Sequence, residues 1–236
     1  MAAGDDHCGG KSREGVEPRA DGACVVREPT RRLFFALWPD ETLRATFAHA
    51  THKAVRACGG RPVPTHNLHV TLLFLGSVAE RRTPELEAIG ARVAAAGTSH
   101  AGAAPLPQLA FDRVEHWEKA RILVATVSAQ STTGATTTPG LASMGGLHSG
   151  LAAAEALASG LLREAHRAGF TADLKPFRAH VTVARKVARL THSLHMREVL
   201  WAVTGFALVE SRTEPQGAVY NVLKSYPLHN AAARVK

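Results

Sequence analysis

One pattern occurs twice in this chain, as His69-Val70-Thr71-Leu72 and as His180-Val181-Thr182-Val183. Each copy lies in a short run rich in β-branched residues and bounded by Pro or Gly, so each reads as a strand. On a strand, residues i and i+2 point the same way, about 6–7 Å apart. Each copy therefore offers an imidazole and a hydroxyl on one face and two apolar side chains on the other. Side by side, the two strands would gather two imidazoles and two hydroxyls around one small space. Imidazole titrates near neutral pH, so one ring can take a proton while the other gives one. Such a pair suits cleavage of a phosphodiester, with Thr71 and Thr182 donating hydrogen bonds to non-bridging phosphate oxygens. Without a metal, a strained cyclic phosphate is the natural substrate, because its ring supplies part of the driving force.

Other chemistries fit less well. Two histidines can ligate zinc, but a third ligand and supporting carboxylates are expected. Neither the run Asn67–Gly76 nor the run Pro176–Arg185 contains Asp, Glu or Cys, so no metal is expected. Ser77 and Ser211 lack a Gly-x-Ser-x-Gly elbow, and no cysteine lies near either motif. Gly10-Lys11-Ser12 lacks the strand and the first glycine of a phosphate-binding loop. No cofactor is expected.

The elements that must position these residues can be read in order. Arg32–Trp38 is an apolar, aromatic strand closed by Pro39. Asp40 starts a helix carrying Leu43, Phe47, Ala50, Ala54 and Ala57 on one face, and Gly59-Gly60 ends it. Pro62 and Pro64 lead into the first His-x-Thr strand. Thr83 is expected as the N-cap of a second helix, which runs to about Gly97. Strands at Leu109–Trp117 and Arg121–Val127 form a hairpin. The stretch Ala129–Gly150, made largely of Ser, Thr, Gly, Ala and Pro, is expected to be a long loop. A helix follows over Leu151–Ala168, then the second His-x-Thr strand, a weaker helix near Leu190–Val199, and strands at Val203–Ser211 and Ala218–Tyr226. Each half thus pairs a helix with strands that include one motif copy, an α+β protein of two similar lobes.

Composition places limits on this reading. Apolar residues make up 45% of the chain and charged residues 20%, as in ordinary globular proteins. Three cysteines without Cys-x-x-Cys spacing give no disulfide framework. No signal peptide and no membrane span is visible, so a cytoplasmic protein without a membrane partner is expected. Residues 1–30 lack apolar periodicity and are expected to be a disordered extension. They carry a net charge of −2 and the remainder +10, which suits a polyanionic partner.

Several motifs in order resemble the two-histidine phosphoesterase superfamily. They are Arg32-Leu33-Phe34-Phe35-Ala36-Leu37-Trp38-Pro39; Asn67-Leu68-His69-Val70-Thr71-Leu72 with Phe74-Leu75-Gly76; Pro176-Phe177 with His180-Val181-Thr182-Val183-Ala184-Arg185; and Tyr220 with Tyr226-Pro227-Leu228. Together they resemble the bacterial and archaeal RNA 2′,3′-cyclic phosphodiesterases, historically called 2′-5′ RNA ligases. The resemblance spans residues 31–229, a bilobal domain followed by a short tail, 230–236. It implies two pseudo-symmetric lobes, each an antiparallel sheet with helices outside, and an open cleft between them. It implies hydrolysis of RNA 2′,3′-cyclic phosphate ends, or of a small cyclic nucleotide, to a 2′-phosphate. A monomer is expected. By position, His69 is the proton donor to the leaving 3′ oxygen and His180 the base that activates water. Thr71 and Thr182 bind the phosphate, Arg185 is a further phosphate contact, and Tyr220 stacks a base, with core packing the preferred reading for Phe34. The alternatives are a 2′-5′ RNA ligase or 2′-5′ phosphodiesterase, and a non-catalytic module that binds RNA ends.

Overall fold

The computed structural model describes residues 28–98, 106–127, 145–172, 175–188, 194–215 and 217–228. Nine strands and three α-helices lie within them. In order they are β1 (Thr30–Leu37), α1 (Glu41–Ala57), β2 (Arg61–Pro62), β3 (Val70–Ala79), α2 (Thr83–Thr98), β4 (Gln108–Trp117), β5 (Ile122–Val127), α3 (Gly145–Arg167), β6 (His180–Arg185), β7 (Leu194–Ala202), β8 (Gly205–Glu214) and β9 (Gly217–Pro227). The strands form two sheets, ordered β3-β1-β8-β9 and β2-β6-β5-β4-β7, with every pair antiparallel. The α+β class read from the sequence is the class observed.

Strand alternation assigns the faces of the first sheet. Leu33, Phe35 and Leu37 of β1 enter the main core, whereas Phe34 and Ala36 join a separate cluster with Ala207 and Val209 on the opposite face. Helices cover the core side. Helix α2 lies on β8 and β9, α1 on β6 and β7, and α3 against both β4 and β3. Phe47 of α1 shows how firmly this side is packed. Fully buried, it sits 5.1 Å from Phe111 and 6.0 Å from Trp201, ring to ring. Burying such a ring stabilises the fold by roughly 3 kcal/mol. The start of α1 matches the sequence reading, since the Asp40 carboxylate accepts from the Leu43 N–H at 2.8 Å.

Four expectations are corrected. The segment read as a weak helix near Leu190–Val199 is strand β7 in its described part. Val199 and Trp201 are buried while Leu200 between them is 47% exposed, a period of two that suits an edge strand and not a helix. Thr83 is not an N-cap. It has helical dihedrals and follows a 3₁₀ turn at Glu80–Arg82. Gly145–Gly150, read as the end of a loop, belongs to α3. A Cβ at Gly150 would lie 1.9 Å from the Gln108 carbonyl oxygen, so the helix can reach β4 only with a glycine there. Finally, the lobes are not the two halves of the sequence. β8 and β9 return to the sheet of β1 and β3, and α1 crosses to the other sheet. The proposed extension at residues 1–30 and the stretch 129–150 otherwise lie almost entirely outside the described residues.

Candidate active site

Strands β3 and β6 carry the two motifs and lie against each other where the sheets meet. The side chains divide as strand periodicity requires. Val70, Leu72, Val181 and Val183 are buried in the core, while His69, Thr71, His180 and Thr182 are half-buried on the other side. A one-residue irregularity then interrupts each strand. Against β1, Phe35 pairs with Leu73 and Ala36 with Thr71, which skips Leu72. Against β5, Leu123 pairs with Ala184 and Val124 with Thr182, which skips Val183. A bulge shifts the alternation by one residue. The next side chain on the cleft face is therefore three positions past the threonine: Phe74 in one lobe and Arg185 in the other.

Both imidazoles are held the same way. The Nδ1–H of His69 donates to the Asn67 carbonyl at 2.7 Å, and that of His180 donates to the Arg178 carbonyl at 2.7 Å. Because a carbonyl can only accept, each ring keeps its proton on Nδ1 when neutral and presents the Nε2 lone pair to the cleft. The Thr71 hydroxyl donates to Nε2 of His69 at 3.1 Å.

The surroundings of the two rings differ. His69 is enclosed by Phe34 at 5.0 Å, Tyr220 at 5.2 Å and Trp38 at 5.7 Å, the last nearly parallel. Asn67 anchors this side by donating from Nδ2 to the Ala218 carbonyl of β9 at 2.8 Å. Among the aromatic rings of the described residues, His180 packs on Trp117 alone, at 4.5 Å. The Arg178 guanidinium lies 4.7 Å over that same indole. Glu115 ties the second set together. It accepts from the Trp117 indole N–H at 3.2 Å and from the Thr126 hydroxyl at 3.1 Å, and pairs with Arg178 at 3.6 Å.

Burial lowers both imidazoles below their ordinary value. His69 falls to about 4, chiefly because its charged form is desolvated; the Asn67 carbonyl opposes this, and the charges of Arg185 and His180 add to it. His180 is lowered by burial too, with the Arg178 carbonyl opposing and the Arg178 guanidinium contributing. Arg185 and His180, which add to the lowering of His69, lie on the cleft face of β6, the strand that meets β3.

Of the residues singled out in the sequence, His69, Thr71, His180, Thr182, Arg185 and Tyr220 are therefore brought together. Phe34 is only 3% exposed and forms the floor beneath His69, which makes it a packing residue and not a base-stacking surface. Sequence reading passed over Trp38, Glu115, Trp117 and Arg178. The signal available for Glu115 and Trp117 was their i, i+2 spacing on a predicted strand. No group of three or more His, Cys, Asp or Glu suited to a metal occurs among the described residues. No helix among them is long and apolar enough to cross a membrane. A groove of about 650 Å³ between α1 and β7, lined by Glu41, His49 and Arg197 among others, lies apart from both motifs.

Comparison with known proteins agrees with this geometry. Residues 37–102 match the family model of the LigT-like phosphoesterases. An RNA 2′,3′-cyclic phosphodiesterase of Thermus thermophilus is 33% identical over 219 residues, covering 86% of this chain and 93% of that protein. An Escherichia coli enzyme of the same name is 27% identical, covering 86% of this chain and 99% of its own. Among solved structures, E. coli LigT complexed with NADP+ is 25% identical and superposes with a TM-score of 0.62, over 85% of this chain and 99% of that one. A second solved structure, of a T. thermophilus protein, is 29% identical with a TM-score of 0.58, over 84% and 97%. Twin His-x-Thr strands in this fold and one-third identity along nearly the whole of a relative place the chain in the LigT-like phosphoesterase family.

Proposed function

We propose that the protein hydrolyses RNA 2′,3′-cyclic phosphate ends to 2′-phosphates by acid–base catalysis between His69 and His180. The observation that carries this reading is the matched pair of imidazoles, each locked by a backbone carbonyl so that its Nε2 faces the same cleft. In the reaction, Nε2 of His180 accepts a proton from water as the water oxygen bonds to phosphorus. The bond from phosphorus to the 3′ oxygen breaks, and Nε2 of His69 gives that oxygen a proton. The Thr71 and Thr182 hydroxyls and the Arg185 guanidinium face the charge that builds on the phosphate. Tyr220 stands beside His69, on the side of the departing ribose, where its ring can meet the base.

The acid role requires His69 to be protonated, yet its enclosure disfavours this in the free protein. Substrate supplies the remedy. A phosphate anion about 4 Å from the ring contributes roughly 4 kcal/mol at an effective dielectric constant near 20. That is equivalent to ~3 pH units, enough to return His69 to the neutral range. Enclosure then helps, because a buried imidazolium gives up its proton readily to the negative charge that develops on the departing 3′ oxygen.

The names of the curated relatives support this substrate, as do the crystal structures of E. coli LigT with 3′-AMP and with NADP+, which place nucleotides on the same fold. The direct test is incubation of an oligoribonucleotide ending in a 2′,3′-cyclic phosphate with the protein in EDTA. A 2′-phosphate product is expected. A 3′-phosphate product, or loss of turnover to the chelator, would overturn the reading. Joining of ends through a 2′-5′ bond in the same assay would favour the ligase alternative. The domain is read as working as a monomer, which sedimentation equilibrium checks.

A further inference from the structure

Strand β2 consists of two residues, Arg61 and Pro62, and its only described strand partner is β6. Gly60 explains how it is seated. A Cβ there would lie 2.8 Å from the Arg185 carbonyl oxygen and 2.9 Å from a Val187 methyl, so only glycine allows so close an approach. Pro62 fixes the backbone on the other side, and the Val63 N–H donates to the Val183 carbonyl at 2.9 Å. The result of this construction is a ladder of two pairs, Pro62 opposite Ala184 and Arg61 directly opposite Arg185.

Like charges directly opposite across a ladder destabilise it. Both side chains are exposed, and neither makes an ion pair with any described residue. Residues opposite each other share a face, and the bulge at Val183 turns Arg185 to the cleft face with His180 and Thr182. Arg61 is therefore on the cleft face as well. Two adjacent guanidiniums without a carboxylate form a site for anions. The reacting cyclic phosphate carries one negative charge, and Arg185, two hydroxyls and the proton of His69 already answer it. The second guanidinium is surplus to that charge.

We propose that Arg61 binds a second phosphate of the substrate, the one on the 5′ side of the terminal nucleotide, and so gives the enzyme preference for a nucleotide chain over a free cyclic nucleoside phosphate. This rests on the phosphodiesterase reading above and names a specificity contact within its cleft. The group bound is a phosphate, either the phosphodiester of an RNA chain or a terminal 5′-phosphate.

The test uses the full chain and three substrates: cytidine 2′,3′-cyclic phosphate with a free 5′-hydroxyl, the same compound with a 5′-phosphate, and a dinucleotide ending in the cyclic phosphate. For Arg61→Gln, kcat/KM on the dinucleotide is expected to fall about tenfold relative to the 5′-hydroxyl compound. The salt dependence of dinucleotide binding should flatten by about 0.7 in log–log slope, the value for one contact to a single strand. Arg61→Lys should retain most of that slope. Loss on the 5′-phosphate compound as well would identify any 5′-side phosphate as the ligand; loss on the dinucleotide alone would identify the phosphodiester of the chain. Dissociation constants of the corresponding 2′-phosphate products, measured by titration, give the same ratio without turnover, so failure of the catalytic reading is seen separately. Equal loss on all three compounds, or no change on any, would overturn the proposal.

Discussion

The two histidines begin from the same local sequence and finish in different surroundings. Around His69, three aromatic rings exclude water, the Thr71 hydroxyl occupies Nε2, and the third cleft position is Phe74 with the Arg32 guanidinium 5.0 Å over its ring. Around His180 there is one indole, a carboxylate that organises it, and an open rim where the third position is Arg185. Repetition fixes where the imidazoles point; burial lowers both, and their neighbours decide how far each is closed off from water. A pair of identical groups becomes an acid and a base only when their environments separate them. The apolar side suits a proton that must be given up, and the open side suits the entry of water.

This contrast is open to attack at several strengths. The largest effect is expected from His69→Ala and His180→Ala, each lowering kcat by about 10³-fold on an RNA cyclic phosphate. The double variant should be little worse than either single one, because the two rings act as a unit. Next come the hydroxyls. Thr182→Val is expected to cost about 10²-fold in kcat, the usual scale for one lost donor to a developing charge. Thr71→Val should cost more, because it also releases Nε2 of His69. A smaller effect should follow Trp38→Leu, which admits water beside His69. Proton NMR titration is expected to show the His69 resonance moving up from about 4 toward the ordinary imidazole value, with His180 little changed.

The smallest effect concerns folding. With its value depressed in the folded state, His69 binds a proton more readily when unfolded, so stability is lost as pH falls through the window from about 6.5 to about 4. Urea unfolding of His69→Asn should show a shallower decline across that window than the parent. A parallel decline in both would mean that His69 is not the group responsible.

Much of the site was legible because a strand has a period of two. That rule put His69 with Thr71 and His180 with Thr182, and the apolar residues between them in the core. It also located β1, the β4–β5 hairpin, β8 and β9. Arg185 was singled out by position and resemblance, but its place on the cleft face depends on a bulge. The trace of both bulges is a consecutive buried pair, Leu72-Leu73 and Val183-Ala184, where alternation calls for a single residue. Strand β7 was missed because Met196, Val199 and Leu200 mimic helical spacing, while an edge position allows Leu200 to remain exposed. The exchange of strands and helices between lobes left no local mark, since it concerns which sheet a strand joins. The apolar enclosure of His69 was equally hidden. It arises from Trp38, Phe34 and Tyr220 meeting His69 from separate strands and turns of the chain.

The division of labour is tested most directly with a 2′,3′-cyclic substrate in which sulfur replaces the 3′ oxygen. A thiolate leaves without being protonated, so it removes the need for an acid but not for a base. His69→Ala is expected to recover most of the parental rate on this compound, while His180→Ala remains as impaired as on the oxygen substrate. Recovery by His180→Ala instead, or equal impairment of both variants, would contradict the assignment of acid and base.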